Sequence, residues 1–309
     1  MSLDKLAEKL AGVVAIPVTA FDGDGAVDEP ACVRVMERIV GAGVDVVTPN
    51  GNTGEFYALG TDEARRVVEL TMRTVGSGAT VVAGVGGSVP EAVAAARHAR
   101  RAGAQAIMVH QPVHPYASQD DWVEYHRAIA GAVPDLGVLL YLRNPRIGGA
   151  HLARLGELAP NVIGVKYAVP DPVRFASVAR DAGLGRFVWI AGLAELAAPG
   201  YWAVGATGFT SGLVNVHPEL SLSMLAALRA GDYPAAMRVW ESARPFEELR
   251  AEGESENNVS VVKEALAQLG LCRRTVRPPS HPVDEPTRRR IGELLESWGL
   301  GSPEMRMAG

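Results

Sequence analysis

The chain has 309 residues, 48% of them hydrophobic, with 30 basic and 35 acidic side chains and a formal net charge of −5. That length allows one large core, and the mild acidity argues against nucleic acid or an anionic membrane as the main partner. No apolar run reaches membrane-spanning length, the start lacks a secretory signal, and Cys32 and Cys272 have no metal-type spacing, so a reduced, cytoplasmic protein is expected.

An amphipathic helix over residues 2–11 precedes the first apolar run, Val13 to Phe21, and a helical period follows from Pro30 to Ala42. Further strand signals lie at Asp45–Asn50, Thr80–Val85, Ala106–Gln111, Gly137–Arg143, Val162–Ala168, Phe187–Ala191 and Gly205–Ser211. Helical stretches alternate with them at Asp62–Val75, Pro90–Ala102, Gln119–Ala132, Ala150–Leu158, Pro172–Ala182, Ala194–Ala203 and Pro218–Arg229. Eight such units predict an α/β fold, a (β/α)8 barrel over residues 1–230. A doubly wound sheet would need a Gly-x-Gly-x-x-Gly turn after an early strand, and Gly84-Val85-Gly86-Gly87 lacks the third glycine and the acidic partner. Three more helices, Tyr233–Arg250, Ser255–Leu269 and Pro286–Trp298, are expected to pack on the barrel over residues 231–300 or to form an oligomer contact. Residues 301–309 read as a frayed tail.

The segment that stands out chemically is Val162-Ile-Gly-Val-Lys-Tyr-Ala168, an apolar run bounded by Pro160 and Pro170. A lysine inside a strand buried on both faces is desolvated, which favours its neutral form unless a carboxylate pairs with it. Lys5, Lys9 and Lys263 lie instead in polar or amphipathic helical contexts. Lys166 is thus a nucleophile candidate, with a structural ion pair as the alternative. Lowering its pKa from ~10.4 to ~7.5 would raise the neutral fraction at pH 7 from about one in 2500 to roughly a quarter.

In a barrel, reactive side chains gather at the C-terminal strand ends. After the second strand, Asn50-Gly51-Asn52-Thr53-Gly54-Glu55-Phe56 exposes backbone N–H groups and the Thr53 hydroxyl, which suits a carboxylate, or else forms a plain turn. Glu55 is read as an acceptor that fixes this loop, with a general base as the alternative. On the fifth strand Tyr141 and Arg143 share a side, because side chains alternate with period two. They suggest a proton carrier beside an anion site. The pair His110 and His114 ends the fourth strand, but Pro112 makes the segment extended and no acidic or thiol companion is near in sequence, so no metal site is expected.

Jointly, Ile16-Pro-Val-Thr-Ala-Phe21, Gly51-Asn-Thr-Gly-Glu-Phe56, Tyr141, Gly164-Val-Lys166, the Gly205–Pro218 stretch and Val262-Lys-Glu-Ala-Leu266 resemble the dihydrodipicolinate synthase/N-acetylneuraminate lyase family of Schiff-base lyases. The resemblance runs from about Gly12 to Leu271. It implies a barrel with a C-terminal helical region, assembled as a homotetramer of two tight dimers or as a homodimer, working without a cofactor. It also implies that Lys166 forms an imine, that Tyr141 moves protons, that Gly51, Asn52 and Thr53 receive a 2-oxo-acid carboxylate, and that Thr210 offers a backbone contact. Two positions depart from the synthases. Asn52 replaces the first hydroxyl residue of Gly-Thr-Thr-Gly-Glu, and His114 stands where a tyrosine reaches the neighbouring subunit, with Tyr116 displaced. Arg143 resembles instead the dehydratases and aldolases of deoxy sugar acids. The expected function is therefore a lyase for a small 2-oxo or deoxy sugar acid, by dehydration or aldol cleavage, with Arg143 and His114 at the distal end of the substrate. Dihydrodipicolinate synthesis is the alternative, and a non-catalytic oxo-acid-binding barrel is the alternative from another class.

Overall fold

In the computed structural model, which describes residues 2–301, eight parallel strands pair in sequence order and β8 returns to β1, closing a barrel. The strands are β1 (Val13–Ala15), β2 (Val46–Val47), β3 (Thr80–Val85), β4 (Ala106–Val109), β5 (Gly137–Leu142), β6 (Val162–Tyr167), β7 (Val188–Ala191) and β8 (Gly208–Ser211). Helices α2 (Glu29–Gly41), α3 (Thr61–Val75), α4 (Val89–Ala102), α5 (Gln119–Gly131), α6 (Gly149–Leu158), α7 (Pro172–Asp181), α8 (Ala194–Trp202) and α9 (Pro218–Arg229) follow the strands in turn, after α1 (Leu3–Leu10). The closed order excludes the doubly wound sheet.

The strand period decides which side chains line the barrel. Val14, Val82, Met108, Leu139 and Ile190 pack together inside, while their neighbours Val13, Val81, Ile107, Leu140 and Trp189 face the helices. Several helices start on a side chain that accepts a backbone N–H. Ser88 and Ser118 do so with Glu91 and Asp121 reciprocating, and Asp28 and Asp171 cap α2 and α7. Helix α1 lies across the N-terminal end of the barrel, where Leu6 and Leu10 join the interior cluster with Ile163.

After β8 the chain adds α10 (Tyr233–Ser255), α11 (Ser260–Gln268) and α12 (Glu285–Ser297). Three boundaries differ from the expected ones. Of the Val13–Phe21 run only Val13–Ala15 pairs as a strand; Val18, Ala20 and Phe21 are buried but cross the mouth of the barrel as a loop. Strand β2 shrinks to two residues. Helix α10 breaks at Glu252–Glu254, where Gly253 and Glu254 are left-handed, and α11 starts at Ser260 rather than Ser255. Except for Gly301, the expected tail lies outside the described residues. Among the described residues no helix is long and apolar enough to cross a membrane.

Candidate active site

Strands β5 and β6 run in register with Tyr141 opposite Lys166, so both side chains project inward from one level of the barrel. The Lys166 ammonium nitrogen lies 4.5 Å from the centre of the Tyr141 ring, and the residue is only 4% exposed. The charges acting on it are those of Arg250 and Arg143, and no carboxylate is among them. Burial first, then these two arginines, lower its pKa from 10.5 to about 7. Near neutral pH about half of such amines are unprotonated and nucleophilic. Burial raises the Tyr141 phenol above its ordinary value, against the opposing pull of Arg143 and Asn52. It is therefore a protonated donor at neutral pH.

The loop after β2 reaches this pair from the side. Its turn consumes the N–H groups of Gly54, Glu55 and Phe56, which donate to the carbonyls of Gly51 and Asn52. The N–H groups of Asn52 and Thr53 find no acceptor among the described residues. The turn is tight enough that a Cβ at Gly51 would lie 2.5 Å from Ile16. At the loop's base Gly84 on β3 gives way to the Asn50 carbonyl, 2.1 Å from where a Cβ would stand. Asn52 Nδ2 donates to the Tyr141 hydroxyl at 2.9 Å, while Asn52 Oδ1 is buried and has no partner among the described residues. That leaves one free acceptor beside the phenol.

Above Tyr141 a cavity of about 400 Å³ opens at the C-terminal end of the barrel. Asn52, Tyr141 and Arg143 line it, as does a set that the sequence reading did not single out: Tyr57, Gln111 and Asn144. Gln111 and Asn144 directly follow residues already placed at strand ends, His110 and Arg143, and that adjacency was the available signal. Lys166 is not among the lining residues but lies against the Tyr141 ring, which is. Thr210 projects inward from β8, buried, with its hydroxyl donating to the Ala191 carbonyl at 3.5 Å. Gly51 and Thr53 are buried behind Asn52.

The structure does not bring His114 to this cavity. It lies on an exposed loop, where Nδ1 accepts the Tyr116 N–H, and Tyr116 is 88% exposed. His110 is buried, stacked on Phe56 at 3.9 Å, with Nε2 bonded to the Asn50 carbonyl; burial lowers its pKa to about 3. A neutral, stacked imidazole of this kind is a wall of the site. Among the described residues no group of three His, Cys, Asp or Glu is placed to hold a metal ion. A second cavity of about 210 Å³ lies between α3 and α4, behind Phe56, and includes no lysine.

One expectation about the surroundings needs correction, and the reading of Glu55 as a loop-fixing acceptor holds over that of a general base. Lys263 is not on the polar face of an amphipathic helix but fully buried, paired with Glu55. Glu55 is unavailable as a base, because Lys263 takes one carboxylate oxygen and the Arg277 N–H the other, at 2.9 Å.

The model of the dihydrodipicolinate synthetase family matches residues 9–298. A 4-hydroxy-tetrahydrodipicolinate synthase of Phenylobacterium zucineum is 36% identical over 296 residues, which cover 94% of this chain and 97% of the relative. A Pseudomonas entomophila protein named "Probable 5-dehydro-4-deoxyglucarate dehydratase" is 29% identical, over 93% of this chain and 95% of its own. The crystal structure of dihydrodipicolinate synthase from Bacillus clausii superposes with a TM-score of 0.91 at 41% identity, covering 95% of this chain and 99% of that one.

Proposed function

The chain belongs to the dihydrodipicolinate synthetase family of lyases, and we propose that within it this protein is a cofactor-free Schiff-base lyase for a deoxy sugar acid bearing a 2-oxo group. Lys166 supports the first half of this reading. Its neutral amine attacks the carbonyl carbon, Tyr141 gives the carbinolamine oxygen a proton, and water leaves to form the iminium. The iminium then accepts an electron pair from the neighbouring carbon. That pair comes either from breaking the C3–C4 bond, as the C4 hydroxyl loses its proton and becomes an aldehyde, or from loss of a C3 proton, after which the C4 hydroxyl departs as water. The N–H groups of Asn52 and Thr53, with the Thr53 hydroxyl, hold the carboxylate and so align the carbonyl with Lys166. Thr210 completes the wall opposite, through its backbone.

One observation carries the choice of a sugar acid: the buried, unpartnered Asn52 Oδ1 beside Tyr141. A buried acceptor without a donor is costly, and a substrate hydroxyl entering the cavity would satisfy it. Gln111, Asn144 and Arg143 supply further polar groups for the distal end. His114 joins them only if its loop, or a neighbouring subunit, brings it to a cavity mouth. Pyruvate condensation as in dihydrodipicolinate synthesis is the second reading, favoured by the relatives that bear that name. Against it, the Asn52 amide donates to the Tyr141 oxygen but cannot pass a proton onward as a hydroxyl would. Assembly as a homotetramer or homodimer, and a cytoplasmic location, belong to the same proposal on the strength of family membership. A monomer in sedimentation would refute the assembly.

The test compares kcat/KM for deoxy sugar diacids with that for aspartate semialdehyde plus pyruvate, in the wild type and in Arg143→Ala. We expect sugar-acid turnover, reduced roughly 10–150-fold by the loss of a charge-assisted hydrogen bond. Arg143→Lys should recover part of it, since the charge remains and the planar fork does not. A wild-type preference for the semialdehyde would overturn the sugar-acid reading. Absence of any borohydride-trapped adduct would leave a barrel that binds oxo acids without turning them over.

A further inference from the structure

We propose that Glu55 and Lys263 form a positioning pair that holds the carboxylate-binding loop from behind, with the C-terminal region as its anchor. Glu55 is left-handed, with φ 57°, and lies two residues after Thr53. Left-handed backbone is unfavourable for a glutamate, so the conformation persists where the surroundings fix it. Here two bonds hold its carboxylate, and a third holds the lysine that makes one of them. Lys263 Nζ donates to Oε1, the Arg277 N–H donates to Oε2 at 2.9 Å, and Lys263 Nζ is itself held by the Thr275 carbonyl at 2.8 Å. Lys263 comes from α11, while Thr275 and Arg277 come from the segment that follows it. Phe21, fully buried, has the Lys263 ammonium 4.0 Å and the Arg277 guanidinium 4.1 Å from its ring centre. Arg277 also spans Glu63 on α3 and the Ala58 carbonyl, just past the loop. The Thr19 hydroxyl completes the hold on the Gly54 carbonyl at 2.8 Å.

Stability alone explains this arrangement poorly. A buried ion pair is often no better than an apolar pair of the same volume, because both charges lose their water. Two directional bonds on one carboxylate instead fix Glu55, whose N–H, with that of Phe56, holds the Asn52 and Gly51 carbonyls and so orients their peptide planes. Those planes carry the Asn52 and Thr53 N–H groups, so the pair sets where a substrate carboxylate sits relative to Lys166 without touching the substrate.

The inference rests on the reading of Asn52 and Thr53 as the carboxylate seat, and the experiment separates the two. Pyruvate serves as the probe, and the readout is the concentration giving half-maximal borohydride trapping at Lys166. Thr53→Val tests the seat alone. If it leaves half-saturation unchanged, the seat is misassigned and both ideas fall. Given an effect there, Lys263→Met and Glu55→Gln should each raise the half-saturating pyruvate about tenfold or more. Trapping at saturation, and its pH midpoint, should stay as in wild type, because Lys166 keeps its own surroundings. Half-saturation within about twofold of wild type in either folded variant refutes the positioning role, as does a loss confined to maximal trapping. Should both single variants fail to fold, the apolar double variant Glu55→Leu/Lys263→Met decides. A folded double variant with weakened pyruvate binding supports the proposal. A folded one with wild-type binding, or one that cannot fold either, makes the pair purely structural.

Discussion

Lys166 and Lys263 are both sealed from water, at 4% and 0% exposure, and burial pushes the pKa of each downward. Around Lys166 the nearby charges, Arg250 and Arg143, push the same way as burial, and its pKa falls to about 7. Around Lys263 the nearest charge is the Glu55 carboxylate, which pulls the other way and holds the ammonium in a salt bridge. The difference shows that burial by itself does not make a nucleophile. What matters is whether the lysine is left without an anion, because only then is its neutral form the favoured one.

The sharpest way to break this contrast is to delete the lysines one at a time. Lys166→Ala should stay folded and lose turnover by ~10⁴-fold or more, as expected for removal of a covalent nucleophile. Borohydride mass labelling of the wild type should fall on the peptide containing Lys166; labelling at Lys263 would invert the assignment. Next in size is Tyr141→Phe, which keeps the ring over Lys166 and removes only the hydroxyl. Turnover should drop ~10²–10⁴-fold while the melting temperature barely moves. Unchanged turnover would make Tyr141 a core residue.

Stability should respond in opposite directions at the two sites. Lys263→Met leaves Glu55 buried without its partner and should cost about 3–5 kcal/mol in chemical denaturation. Lys166→Met should instead stabilise the protein at low pH. The folded pKa of about 7 lies below the unfolded value, so the unfolded chain binds more protons between about pH 7 and 10.5, and stability rises with pH across that window. The penalty of burying Lys166 is therefore largest below pH 7, about 4–5 kcal/mol, and vanishes above pH 10.5. Lys166→Met removes both the penalty and that slope; a variant retaining the slope would refute the shifted lysine. The smallest effect is in the pH profile of kcat/KM, which should fall by up to about tenfold per unit below pH 7 as the amine protonates. A limb that appears only above pH 9 would mean that Lys166 is not desolvated in solution.

Much of this architecture was legible in the chain because its signals are local. A parallel strand buried on both faces reads as an apolar run, and an interrupting lysine such as Lys166 is visible at once. Tyr141 and Arg143 followed from strand parity alone. The same reasoning overextended β1, since Val18 is buried without strand pairing and Phe21 pairs only in an isolated bridge with Val27, and composition reports burial rather than hydrogen bonding. The partnership of Lys263 with Glu55 was out of reach, because the two residues are 208 positions apart and each looks ordinary among its neighbours. His114 was placed by likeness of motif, and a loop on the surface has no periodicity to test such a placement.

The helix laid across the base of the barrel has a consequence for traffic. With Leu6 and Leu10 packed against Ile163 at the N-terminal end, and Val14, Val82 and Met108 filling the middle, the cavity at the other end has no exit through the barrel among the described residues. On the proposed imine chemistry, substrate, the expelled water and every product would share one doorway, past Asn52 and Arg143. Molecules must queue. On that chemistry, the fragment released first would have to clear the cavity before anything still joined to Lys166 could follow.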